Sequence, residues 1–271
     1  MGGKTAYIEG LADAGQRLYD AYSTVMTETN LSGVLDAILG ANRFDYPQTT
    51  ARDLINRIVL GSYPNEATIK ANFINGILLP QSPKTVSVFE LPIGKSRVDM
   101  CKINGHSAAY EIKTDLDTFY RLEGQLKDYF DVFETVYVVT SEARWRELPD
   151  YVPEACGIYS YRQCEGGTYK FCARRRAIKS SELDSEKQLS VMPKQFLCSL
   201  FGKEGRRVSK TSLIRSCLEE HDGREINHLF KRYLQQRYGC YWNRFRELQP
   251  EIYEIDYQWF YRYGLSPQAI Y

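Results

Sequence analysis

Asp99, Glu111 and Lys113 are of the types that hydrolysis of a phosphodiester calls for: one carboxylate, then a second carboxylate with an ammonium two positions on. On a strand, side chains alternate with period two, so Glu111 and Lys113 project together while Tyr110 and Ile112 point the other way, into a core. Two carboxylates offer hard oxygen ligands to Mg²⁺ or Mn²⁺ and leave coordination positions for water and a phosphate oxygen. A lysine beside them positions the attacking water, or helps to deprotonate it if desolvation lowers its pKa. Downstream, Arg121, Gln125 and Tyr129 recur every fourth residue and share a helix face. Gln125 is expected to brace the lysine or meet a phosphate, and Arg121 and Tyr129 to bind substrate, with a salt-bridged solvated face as the alternative for those two. Asp115 and Asp117 lie just past the strand, where they read as helix N-caps rather than catalysts.

These residues need a hairpin followed by a helix. Ser96 to Ile103 and His106 to Lys113 are β-rich runs around Asn104–Gly105, a dipeptide suited to a tight reversal. A strict two-residue loop sets Asp99 opposite Tyr110 and leaves Glu111 on the other face. The two carboxylates share a metal only if the register slips by one, through a three-residue loop or a bulge, and that slip is predicted. Before the hairpin, Pro64–Asn65–Glu66 starts a helix that Pro80 stops, and Thr85 to Leu91 is β-rich. After it, 117–133 reads as a helix and Val136 to Thr140 as a buried strand. Gly157 to Tyr161 and Thr168 to Ala173 are strands around Gly166–Gly167.

The series Asp99, eleven residues, Glu111–Ile112–Lys113 resembles the D-xn-ExK signature of the PD-(D/E)xK nuclease superfamily. Gln125-x3-Tyr129 resembles the QxxxY extension of its RecB-like members. The string from Glu111 to Gln125, with the Val136 to Val139 strand and Val152–Pro153, is similar to a largely uncharacterised bacterial group in that superfamily, over about residues 63 to 160. Val98 stands where the signature has proline. The resemblance implies a restriction-endonuclease-like α/β (α+β) core, a mixed central sheet flanked by helices, with helical N- and C-terminal additions. It also implies a glutamate from the first core helix, where Glu66 is the one carboxylate; the plainer reading of Glu66 is an acid favoured by the helix dipole. Glu90 is a weaker candidate ligand. The expected metal set is thus Asp99, Glu111 and Glu66, with Lys113 and Gln125 completing the catalytic group.

Around this core, residues 1–62 carry helical stripes (Leu18, Tyr22, Met26; Leu31, Leu35, Leu39; Leu54, Ile55, Ile58, Val59), broken near Gly40 and Asp45–Tyr46–Pro47. The core is placed at 63–176, and a basic, mostly helical region at 177–271. Within 201–250, eleven Lys or Arg face six acids, an excess of five. Tyr233, Tyr238, Tyr241, Trp242 and Phe245 are interleaved among them, a pattern that suits phosphates and base stacking. Helices at 193–201, 209–221 and 224–238, the second capped by Ser209, form either a helix-turn-helix or a bundle that completes the core. Arg174–Arg175–Arg176 is a further basic cluster.

Composition excludes some classes. With 43% hydrophobic and 25% charged residues the chain is an ordinary globular protein, and a net charge of +1 means that any phosphate-binding surface is local. No apolar run reaches membrane-spanning length and the start is not a secretory signal, so a cytoplasmic protein without membrane contact is expected. Seven scattered cysteines, with no CxxC pair, read as reduced core thiols. The leading expectation is a metal-dependent nuclease acting on nucleic acid, DNA in the first place. Two other readings stay open: an inactive nucleic-acid-binding module, or an interaction component of a bacterial defence or mobile-element system. The helical flanks leave room for a homodimer or a protein partner.

Overall fold

The computed structural model describes residues 13–40, 49–164, 167–180, 183–200 and 208–271. The expected breaks at Asp45–Tyr46–Pro47 and Gly166, and the charged residues 203, 204, 206 and 207, lie outside the described residues. The fold is mixed α/β, a six-stranded mixed sheet flanked by helices. Helix α1 (13–21), α2 (Glu28–Leu39) and α3 (Ala51–Ser62) form the N-terminal layer. Helix α4 (Glu66–Phe73) then runs directly into a π-helical turn, Ile74–Leu78. The sheet order is β1 (Val86–Ile93), β2 (Ser96–Asn104), β3 (His106–Lys113), β4 (Thr135–Ser141), β5 (Gly157–Gln163), β6 (Tyr169–Arg175). The β3–β4 and β4–β5 pairs are parallel and the others antiparallel. Helix α5 (Leu122–Phe130) carries the chain from β3 to β4. Beyond the sheet come α6 (Ser185–Val191), α7 (Lys194–Leu200), α8 (Lys210–Glu220), α9 (Gly223–Leu248) and α10 (Tyr257–Tyr263).

Successive rungs of the sheet face opposite sides. One rung, Phe89, Met100, Tyr110 and Tyr137, ends at Gly157. A Cβ at Gly157 would come within 2.2 Å of the Tyr137 ring, so only glycine leaves the ring its place. Phe73 of α4 covers Tyr110 at 5.1 Å between centroids, and Trp242 of α9 and Tyr261 of α10 cover Phe89 at 6.0 and 4.2 Å. The apolar face of α9 (Ile226, Phe230, Leu234, Trp242, Phe245) is therefore spent on the core. Of the two readings of the α8–α9 pair, packing favours the one that completes the core. Burial of Trp242 and Phe245 also carries α9 through Gly239, ten residues past its expected end at Tyr238, because tertiary packing overrides a weak local propensity.

Other expectations are corrected by local hydrogen bonds. The helix expected over 117–133 is confined to α5. The Asp117 carboxylate accepts the Thr114 N–H and hydroxyl, both at 2.8 Å, and Arg144 donates to the Thr114 and Asp117 carbonyls at 2.9 and 2.8 Å. The groups that would start the helix are thus already engaged. Asp115 and Asp117 brace this turn, and α5 has Arg121 at its N-cap with no side-chain cap. Ser209 does cap α8, accepting the Ser212 N–H at 3.0 Å. Arg174 and Arg175 tie β6 to Glu142, Ser160 and the Pro153 and Cys156 carbonyls, a structural use of the arginine cluster. Four cysteines are buried, but Cys164 and Cys172 are half-buried and Cys240 is exposed. Among the described residues, no helix is long and apolar enough to cross a membrane.

The N-terminal helices are locked to the C-terminal end by a buried polar network. Asp256, 0% exposed, accepts from Thr24 Oγ1 (2.7 Å), Tyr22 (2.7 Å) and Tyr271 (2.8 Å), and Arg52 Nη1 lies 3.8 Å away. Removing Asp256 leaves the buried Arg52 with only the partly exposed Glu28, at 3.9 Å, as counter-ion among the described residues. Asp256→Ala is expected to lose about 3–5 kcal/mol of stability in urea unfolding, as for a broken buried ion pair. An unchanged midpoint would show that the N-terminal layer is held by its apolar contacts alone.

Candidate functional site

The β2–β3 register is Met100↔Tyr110, Cys101↔Ala109 and so on to Asn104↔His106 around Gly105, whose φ is +73°. This is the predicted slip by one residue, through a three-residue loop that needs the left-handed conformation only at glycine. Glu134, buried beside this turn, accepts the Ser107 N–H at 2.7 Å and pairs with Lys179 and with Lys231 of α9, clamping the reversal in place. The ladder stops at Met100↔Tyr110. Asp99 comes next on β2, and its Oδ2 takes the Ile112 N–H at 2.7 Å that a further rung would have engaged. The strands part here, and the two carboxylates flank the opening.

Glu111, 2% exposed, is held by three donors: Lys113 Nζ at 2.7 Å and Gln125 Nε2 at 2.6 Å on Oε1, and the Tyr129 hydroxyl at 2.9 Å from Oε2. A carboxylate has about four lone-pair sites, so roughly one remains for a cation or water. Gln125 Oε1 is buried without a hydrogen-bond partner among the described residues. Tyr129 is 0% exposed, and its hydroxyl also lies 2.8 Å from the Arg97 carbonyl. Burial first, then the charge of Glu111, push its pKa well up, so it stays a donor. The expectation that Tyr129 meets substrate is therefore corrected: it has no surface to offer, and it orients Glu111. Arg121, the residue just before α5, is exposed at the rim of the cleft.

On the other side of Asp99 lies a second cluster. Glu66, in the first turn of α4, Glu90 and Asp99 each place a carboxylate oxygen within 4.8 Å of the others, a geometry that suits one divalent cation. Among them sits the ammonium of Lys70, a lysine 1% exposed on α4, paired with Glu66 and Glu90 and 2.9 Å from Asp99 Oδ1. Burial alone would lower the Lys70 pKa, but the charges of Asp99, Glu66 and Glu90 outweigh it and hold the group protonated. Asp99 is pushed up by burial and then by Glu111, against the pull of Lys70.

The sequence reading missed Lys70 and ranked Glu90 low. Glu90 has φ +55°, the one non-glycine residue with positive φ among the described residues, at the point where the β1–β2 ladder skips a rung. Such a conformation costs about 1–3 kcal/mol and clusters at functional sites. It coincides here with contacts from Glu90 to Lys70 and to Arg97 Nε at 2.8 Å. Nothing in a sequence marks a glutamate for positive φ. Lys70, four residues after Glu66, was readable as an i,i+4 partner, which is the only signal it carries.

The cleft has a volume of about 770 Å³ and is lined by Glu66, Glu90, Asp99, Glu111, Lys113, Arg121 and Gln125. The acids fit a hard divalent cation: Glu66, Glu90 and Asp99 offer carboxylate oxygens within 4.8 Å of one another. Lys70 is the feature that competes with it.

Fold and site together define an α/β protein with an acid-and-lysine cleft at a fork between two strands. The chain belongs to the bacteriophage P4 protein cII family, whose profile matches residues 61–256. The match takes in α4, the whole sheet and α9. Protein cII of Enterobacteria phage P4 is 31% identical over 123 residues, 45% of this chain and 46% of that protein. The chain thus spans about half the length of the curated relative it matches. Among solved structures, a protein of unknown function from Silicibacter pomeroyi is similar with a TM-score of 0.33 and 15% identity, over 51% of this chain and 92% of that one.

Proposed function

We propose that this chain is a metal-dependent nuclease that hydrolyses phosphodiester bonds, DNA in the first place. The observation that supports the reading is the fork geometry: the β2–β3 register is slipped by one, as the PD-(D/E)xK-like spacing requires, and Asp99 on β2 and the Glu111–Lys113 pair on β3 line one cleft where the strands separate.

Glu66, Glu90 and Asp99 would hold Mg²⁺ or Mn²⁺; Glu111, expected from the sequence as a ligand, lies outside that group, tied to Lys113, Gln125 and Tyr129. When bound, the ion supplies Lewis-acid stabilisation of the charge that develops on the phosphate and acidifies water. Lys113 spends one of its three N–H donors on Glu111, and the others serve a water or a phosphate oxygen. Gln125 and Tyr129 fix the Glu111 carboxylate, so the lysine is positioned by a preorganised anion rather than by its own flexible stem. Arg121 at the rim offers a forked cation to a neighbouring phosphate.

A specific observation favours a second reading, an inactive nucleic-acid-binding module: the Lys70 ammonium already occupies the point between the three acids. The phage family leaves open a role in a mobile element as well. The test is incubation of the full chain with single- and double-stranded DNA and RNA in Mg²⁺, Mn²⁺ or EDTA, beside Asp99→Asn and Lys113→Met. Cleavage that needs metal and is lost in both variants is the expected result. Cleavage retained in both would remove these residues from the chemistry, and salt-sensitive binding without turnover in any metal would favour the second reading.

A further inference from the structure

A second cleft, of about 760 Å³, lies between the C-terminal half of α9 and α10 and shares two lining residues, Glu90 and Arg97, with the first. Its walls are aromatic and cationic. The Arg237 guanidinium lies over Tyr238 and Tyr241 at 5.4 and 5.3 Å from their centroids, and that of Arg262 over Tyr263 at 5.5 Å. Trp259 and Tyr263 touch one helical turn apart, 4.7 Å between centroids with their planes tilted by 43°, and Tyr263 is 52% exposed. Three of the five aromatics expected on a basic surface, Tyr233, Trp242 and Phe245, are instead buried in the core. Tyr238 and Tyr241 open into this cleft, joined by α10 residues that the sequence reading did not single out. Neither Arg237 nor Arg262 has a carboxylate partner among the described residues, whereas Arg97 is paired with Glu90 and the Glu254 carboxylate accepts the Asn56 amide.

We infer that this cleft takes the unpaired nucleotides next to the scissile phosphate, so that the substrate class is single-stranded nucleic acid or a frayed end. The inference rests on the nuclease reading for the word scissile, and on its own geometry for the binding. Ring faces interleaved with arginines free of carboxylates recognise bases by stacking and phosphates by charge, without regard to sequence. A duplex keeps its base faces inside the stack, out of reach of Tyr263 and Trp259. Glu90 and Arg97 line both clefts, so a strand held in the aromatic cleft would lie next to the fork that carries Asp99 and Glu111.

The test is fluorescence anisotropy in EDTA, so that no cleavage intervenes, with a short labelled oligothymidylate and a blunt duplex of equal length. The single strand is expected to bind about tenfold tighter than the duplex. Tyr263→Ala and Arg237→Ala are each expected to weaken single-strand binding about fivefold or more, as loss of one stacking or phosphate contact does, while leaving duplex binding and the melting temperature unchanged. Equal affinity for both probes, or variants with normal melting and undiminished single-strand binding, overturns the inference. An RNA strand bound as tightly as DNA supports it, since ring faces do not read the sugar. Single-strand preference without turnover in any metal sinks the nuclease reading alone. Metal-dependent cleavage of both probes at equal rates, unaffected by Tyr263→Ala, sinks the cleft alone.

Discussion

Glu111→Gln is expected to abolish metal-dependent cleavage and leave a folded protein. Glutamine keeps the volume of the side chain in a site only 2% exposed and can still accept at its carbonyl, but the negative charge that three donors converge on is gone. Lys113 then loses its counter-ion and its fixed position, and the cleft loses the last carboxylate acceptor on the Lys113 side of the fork. The rate should fall by roughly 10³-fold or more, the equivalent of about 4 kcal/mol of transition-state stabilisation. The measurement is single-turnover cleavage at saturating metal, paired with the melting temperature. Gln125→Ala should fall less, about 10–100-fold, because it orients the carboxylate without carrying the charge. If both variants cleave as fast as the parent, the cluster is an ordinary buried polar knot.

Lys70→Met is expected to sharpen the response to divalent cations. The Lys70 ammonium is bonded to three carboxylates at the one point where their oxygens lie within 4.8 Å of one another, so it competes directly with a cation for them. A charge pair at about 4 Å is worth up to about 4 kcal/mol at an effective dielectric near 20. Glu66 and Glu90 are partly open to water, which screens much of this. The Mg²⁺ concentration giving half-maximal thermal stabilisation should fall about tenfold. Without metal the variant should melt lower than the parent, because three carboxylates then face one another with no cation between them. The readout is a thermal melt across a Mg²⁺ titration, which does not depend on catalysis. Identical titrations for the parent and Lys70→Met would show that the ammonium does not compete. A parent without turnover beside a variant that cleaves would identify Lys70 as the group that silences the site.

Much of the architecture was readable along the chain because it depends on short-range rules. The alternation in 96–113, the Asn104–Gly105 reversal and the proline at 80 define the hairpin and the helix before it, and the Asp99 to Lys113 spacing demanded the slip that Met100↔Tyr110 displays. Ser209 as a cap and the α8–α9 turn were readable for the same reason, since a cap involves residues three apart. The failures fall where a distant partner decides. Arg144 holds the carbonyls that would have begun a longer α5, and Phe89 draws Trp242 into the core and extends α9 past its glycine.

The same division runs through the site. Sequence by itself picked out Asp99, Glu111, Lys113 and Gln125, which line one cleft, because period-two strands and period-four helices project those side chains regardless of what surrounds them. Only the tertiary structure decided that Tyr129 faces Glu111 rather than solvent, that Glu90 adopts a positive φ and joins Asp99, and that a lysine from α4 fills the space between the acids. Those outcomes depend on which surfaces α4, α5 and β1 bury against one another. Burial and the balance of charges at a point where three segments meet are properties of the packed chain, and no residue's local neighbours specify them.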